Sequence, residues 1–166
     1  VNDDFLTFVK HVWPQFIEGK HHKKIADKFN KLAKGEIKRL IINMPPRHTK
    51  SEFASYLLPS WMVGRRPDLK IIQTTHTTEL AIRFGRKAKT LIDSQEYQQI
   101  FKTRLREDSQ AAGKWETEQG GEYFAAGVGG AITGRGADLL IIDDPHKEQD
   151  IKKDSKSFDK AWNWYT

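Results

Sequence analysis

The sequence predicts an α/β domain with a mainly parallel central sheet flanked by helices. Three observations point there. Short runs at Arg39–Asn43 (RLIIN), Leu69–Thr75 and Leu139–Ile142 alternate with longer stretches of helical periodicity. The first and third runs are almost continuously apolar, as strands buried on both faces are. Both are followed by chemistry, Lys50-Ser51 after the first and Asp143-Asp144 after the third. Ligands of open α/β sheets bind at the carboxyl ends of the strands.

The elements follow in order. Phe5, Phe8, Val9, Val12 and Trp13 recur at helical spacing until Pro14 breaks the run. A second helix, about His21 to Lys34, carries Ile25, Phe29 and Leu32 as its stripe, and Gly35 is its stop signal. Arg39–Asn43 is expected to be a buried strand. The prolines of Met44–Thr49 exclude helix there, and a helix restarts over Lys50–Leu58. Leu69–Thr75 is the next strand and Glu79–Ile92 the next helix, with Leu80, Phe84, Ala88, Leu91 and Ile92 on one face. Lys114–Glu118 and Glu122–Ala126 flank Gln119-Gly120-Gly121 as a hairpin. Gly127–Gly136 is a glycine-rich loop, and Leu139–Ile142 is the third buried strand. The chain stops at Trp162–Thr166 inside a pattern that still reads as structured, so the expectation is a fragment of a larger protein.

Composition narrows the class. The chain contains no cysteine, which excludes a disulfide framework and a thiolate metal site. Its six histidines show no zinc spacing. No apolar run approaches the roughly 18 residues of a membrane span, and the acidic opening Val1-Asn2-Asp3-Asp4 is unlike a signal peptide. A net charge of +6 suits a polyanionic partner and equally a generic basic surface. Within Arg83–Arg106, the cations Arg83, Arg86, Lys87, Lys89, Lys102, Arg104 and Arg106 read either as a phosphate-backbone surface or as solvated positions.

Two motifs carry chemistry. A phosphate-binding loop needs a strand, a tight loop with inward backbone N–H groups and a helix start, whose positive end faces the anion. Arg39–Asn43, Met44–Thr49 and Lys50-Ser51 supply these in order, with lysine for the phosphates and a serine hydroxyl for Mg²⁺. The pattern departs from the standard one, because Met44 and Thr49 stand where two glycines belong. Taken alone, the stretch reads equally well as a proline turn with a solvated lysine. In the second motif, Leu139–Ile142 ends in two carboxylates: the first suits the Mg²⁺ shell, the second a general base on attacking water. An Asp-Pro turn is the plain alternative. Arg135, between Gly134 and Gly136, reads as an arginine finger or as a surface loop residue.

The runs RLIINMPPRHTKSEF (Arg39–Phe53) and TGRGADLLIIDDPHK (Thr133–Lys147) resemble two motifs of phage large terminase subunits, whose loop commonly reads Pro-Pro-Arg-His-Gly-Lys-Ser. The helix with His21-His22 and the GGEYFAAGVGGAITG stretch fit as well, so the resemblance covers nearly the whole chain. It implies a P-loop NTPase fold of the ASCE type, spanning residues 1–166 as the ATPase part, without the coupling motif or the nuclease domain. It implies ATP and Mg²⁺ as cofactors. Nucleotide binding would fall to Pro46, Arg47, His48, Thr49, Lys50, Ser51 and Glu52, and Mg²⁺ to Ser51 and Asp143. The catalytic residues would be Asp144, Arg47 and Arg135, the last acting on a neighbouring subunit, while the region Trp13–His22 approaches the adenine. The implied partners are double-stranded DNA, a portal protein and a small terminase subunit, in a homo-oligomeric ring with no membrane, in the cytoplasm of an infected cell. Thr49, where the family has glycine, is expected to restrict the loop and weaken nucleotide binding. The competing readings are a helicase-like ATPase and a non-catalytic nucleic-acid-binding or assembly domain with a degenerate site.

Overall fold

The computed structural model describes residues 1–132, 134–146 and 163. The termini of the second motif, Thr133 and Lys147, and the Trp162–Thr166 stretch apart from Asn163, lie outside them. Helices α1 (Phe5–Val12) and α2 (Lys20–Ala33) open the chain. Asp4 caps α1 by accepting from the Thr7 backbone N–H at 2.9 Å. Gly35, at φ 75°, ends α2, with Gly35 N–H donating to Leu32 O and Glu36 N–H to Lys31 O. That pair of hydrogen bonds is the Schellman stop.

The next helical stretch begins at Lys50. Its residues Glu52–Leu57 are π-helical, and α3 (Leu58–Arg65) continues them. Strand β1 (Lys70–Thr75), helices α4 (Thr78–Ile92) and α5 (Gln95–Gln98), and strands β2 (Leu105–Ala111), β3 (Lys114–Thr117), β4 (Glu122–Gly127) and β5 (Leu139–Ile142) complete the order.

The five strands lie in the order β2-β3-β4-β1-β5. β1 pairs in parallel with β4 and with β5, whereas β2–β3 and β3–β4 are antiparallel. This corrects the expected mainly parallel sheet flanked by helices, and with it the P-loop NTPase fold of the ASCE type. Two causes are visible. Gly113 and the Glu118–Gly121 segment turn the chain back on itself in short connections, which force antiparallel neighbours. Arg39–Asn43, expected as a buried strand, pairs with no strand among the described residues. Leu40 and Ile42 pack on the core, with Ile41 86% exposed between them.

One sheet face is formed by Tyr123 and Ala125 of β4, Ile71 and Gln73 of β1, and Leu139 and Ile141 of β5, which the register places side by side. All six are buried. Trp115 of β3 stacks on Tyr123 at 4.9 Å and donates its indole N–H to Gly85 O of α4. The other face is more open on β5, where Leu140 and Ile142 are each 42% exposed. β5 is thus buried on one face rather than on both. Around Phe5 an aromatic group joins the N-terminal helices to the rest, with Phe29, Phe53 and Trp61 at 5.0, 5.3 and 5.4 Å.

α4 approaches the sheet so closely that a Cβ on Gly85 would lie 2.3 Å from Ala112 O and 2.7 Å from the Tyr123 ring. Gly85→Ala is therefore expected to destabilise the chain by about 1–3 kcal/mol, as overpacking does. The check is the urea midpoint, which should fall at constant slope. An unchanged midpoint would mean that α4 does not press on Tyr123 in this way.

Candidate functional site

The parallel half of the sheet brings the two motifs together. β1 and β5 end side by side, with Thr74 opposite Ile142, so Asp143 and Asp144 leave the sheet at its carboxyl edge. The two carboxylates meet different surroundings. Asp143 turns inward, is 7% exposed, and accepts from the Ser55 hydroxyl at 2.8 Å. Ser55 in turn accepts from the Gln73 amide at 3.1 Å. Asp144 turns outward, and its carboxylate lies 3.3 Å from Lys50 Nζ. Its carbonyl accepts from the His76 backbone N–H and from His76 Nδ1, at 3.1 and 3.0 Å.

The helical stretch that starts at Lys50 supplies the other side. Its N-terminal backbone N–H groups lack partners within the helix and favour an anion. Phe53 N–H closes onto Thr49 O at 2.9 Å, while the turn that follows widens, with Leu58 N–H reaching Phe53 O. π-helical turns are rare and are found disproportionately at functional sites. Here the turn holds Ser55, which ties the helix to the sheet edge.

The loop before Lys50 is held in an unusual backbone. Arg47 and Thr49 have φ of 65° and 62°, and Asp144 has φ 43°. Each left-handed non-glycine residue costs on the order of 1–3 kcal/mol unless its surroundings enforce it. Around Thr49 the surroundings are explicit. Gly19 N–H donates to His22 Nδ1 at 2.8 Å, and His22 Nε2 lies 2.7 Å from Thr49 Oγ1. The Thr49 hydroxyl donates to His48 O at 2.5 Å. The acceptor role of Nδ1 leaves the proton on Nε2, so His22 donates to Thr49 as a neutral imidazole. Burial between Phe16 and Phe53, at 4.7 and 5.0 Å, favours that neutral form and lowers the His22 pKa. The neighbouring His21 and His48 lower it further, and Glu18 opposes them.

The expected site residues therefore fall into two groups. Lys50 and Asp144 meet directly, with Ser51 and the Arg47–Thr49 loop beside Lys50 in the chain and Asp143 beside Asp144. His48 Nδ1 turns back to Pro46 O at 2.9 Å. Glu52 is engaged elsewhere, by Lys87 of α4 at 2.9 Å. Arg135 stands apart, its guanidinium 3.9 Å over the Phe124 ring and 2.6 Å from Glu122. Glu122 begins β4, the end of the sheet opposite the carboxylates. At ~3.3 Å per residue, that end is roughly 15 Å away along the strand. The basic segment also divides: Lys87 pairs with Glu52, Arg106 with Asp108 and Glu116, and Arg104 donates to backbone carbonyls.

Sequence reasoning missed Ser55, Gln73, His76 and the buried state of His22. A signal existed for His22 alone, which stands three residues after Gly19 and caps α2 from that position. No protein-family model, curated protein or solved structure matches the chain. Among the described residues, no helix is long and apolar enough to cross a membrane.

Ser55→Ala would leave the buried Asp143 carboxylate and the Gln73 amide each short of a partner. The expected loss is about 1–3 kcal/mol of stability per group stranded. Chemical denaturation measures it, and a loss below experimental error would show that the helix is not anchored to the edge through Ser55.

Proposed function

We propose that the Lys50 loop and the Asp143-Asp144 pair form an ATP-hydrolysing site, in a DNA-translocating motor subunit similar to phage large terminase subunits. The observation that carries the reading is the 3.3 Å approach of Lys50 Nζ to Asp144 Oδ1 across 94 positions of sequence. Two motifs of different chemistry, each readable separately as a turn, converge on one helix start at one sheet edge. The motor and its DNA partner rest on the resemblance of the two motifs.

The pair is partly exposed, with side-chain accessibilities of 26% for Lys50 and 59% for Asp144. Such pairs are worth roughly 0.2–1 kcal/mol. A polyphosphate carrying several charges displaces Asp144 from Lys50 at little cost, and so frees the carboxylate for water. Lys50 and the helix N-terminus then neutralise phosphate charge, and Asp144 takes the proton as the water oxygen attacks the γ-phosphorus. The bond from the γ-phosphorus to the bridging oxygen breaks, and ADP leaves with that electron pair.

Ser51 and Asp143 would be the oxygen donors for Mg²⁺. No group of three or more His, Asp or Glu among the described residues forms a protein cage for a metal. When bound, Mg²⁺ supplies charge neutralisation on the β- and γ-phosphates. Arg135, held by Glu122, enters this reading only through an adjacent subunit.

Two variants separate binding from chemistry. Lys50→Ala should lose calorimetric binding of a non-hydrolysable ATP analogue while keeping its thermal midpoint. Asp144→Asn should bind the analogue and lose turnover by roughly 10²–10⁴-fold, the usual contribution of a general base. Unchanged affinity in the first variant, or near-normal turnover in the second, contradicts the assignment.

A further inference from the structure

We infer that His22 is a positioning residue that locks Thr49 in the left-handed backbone region and so keeps the Arg47–Lys50 loop shaped for an anion. The inference rests on the proposed phosphate site and names how this chain builds it without glycine. Glycine takes positive φ without steric cost; a β-branched residue does not. At φ 62°, Thr49 needs an external restraint. The restraint is a directed chain of hydrogen bonds, from Gly19 N–H to His22, from His22 to the Thr49 hydroxyl, and from that hydroxyl to His48 O. Every donor in it has one acceptor, which fixes both the imidazole tautomer and the hydroxyl rotor. The imidazole is itself immobilised, since it is 5% exposed and packed between Phe16 and Phe53. The threonine hydroxyl thus does by hydrogen bonding what a glycine does by lacking a Cβ.

A plainer role is also present on the same side chain. Through Nδ1, His22 caps the start of α2. Capping explains the Gly19 bond but not the second bond, to a residue 27 positions away whose backbone is strained. The two roles differ in one consequence. If His22 serves the loop by restraining Thr49, it becomes dispensable for binding once position 49 is glycine. If it serves only as a helix cap, the identity of residue 49 is irrelevant.

The experiment is a double-mutant cycle on the full chain, with Mg²⁺ and a non-hydrolysable ATP analogue as the calorimetric probe. Thr49 Cα and Cβ chemical shifts, recorded without nucleotide, report the backbone region of that residue. His22→Ala should weaken binding about tenfold by depopulating the competent loop, whereas in a Thr49→Gly background it should change affinity by less than about twofold. Without nucleotide, the Thr49 shifts should leave their left-handed values in His22→Ala and keep them in His22→Gln, which retains a side-chain donor. If His22→Ala fails to fold, Thr49→Val breaks the same link from the other end and should weaken binding equally. Equal losses in both backgrounds, or Thr49 shifts unmoved by His22→Ala, overturn the inference. A parent chain that binds no nucleotide overturns the phosphate-site reading instead, and the shifts then decide the His22–Thr49 link by themselves.

Discussion

Ser55 joins the helix to the sheet, and the candidate site exists because of that joint. Its hydroxyl donates a hydrogen bond to Asp143 and accepts one from Gln73, and all three side chains are buried. A buried carboxylate without a partner is strongly disfavoured, so the bond fixes the π-helical turn against the carboxyl edge of β1 and β5. Lys50 lies at the start of that same helical stretch and Asp144 is the residue after Asp143. Once Ser55 meets Asp143, the lysine and the outer carboxylate have little choice but to meet. The wider π turn is part of this placement.

The loop before Lys50 holds left-handed backbone without glycine. Backbone N–H groups converge on an anion when residues adopt left-handed conformations. This chain adopts them with Arg47 and Thr49 and supports Thr49 from α2. The N-terminal helices thereby become part of the site, tied in by the Phe5 and Phe16 aromatic contacts and by His22.

Much of the fold was legible in the sequence where periodicity and turn chemistry agreed. The stripes of α2 and α4, the glycine stop at Gly35, the β3–β4 hairpin and strands β1 and β5 emerge where the residues place them. What was not legible depends on partners distant in sequence. RLIIN is as apolar as a buried strand, but apolar content does not supply a neighbouring strand to pair with. Leu105–Ala111 (LREDSQA) carries too much charge to look like a strand, and is one because β3 folds back on it. Those two segments account for the wrong expectation of a mainly parallel sheet. In the site, the adjacency of Asp143 and Asp144 was visible, whereas the inward turn of one and the outward turn of the other was not. Lys50 was visible through its own motif, but the other partners that give each its environment, Ser55, Gln73 and His76, lie 68 to 88 positions away and leave no local signal.

We propose that Lys50 and Asp144 form one site whose ion pair gives way to a nucleotide. It is tested most directly by determining the structure of the chain with Mg²⁺ and a non-hydrolysable ATP analogue. The γ-phosphate is expected on Lys50 Nζ and the helix start, with the 3.3 Å Lys50–Asp144 contact opened and Asp144 facing the phosphorus across a water. Nucleotide bound elsewhere, or bound with Lys50 still on Asp144, would contradict it.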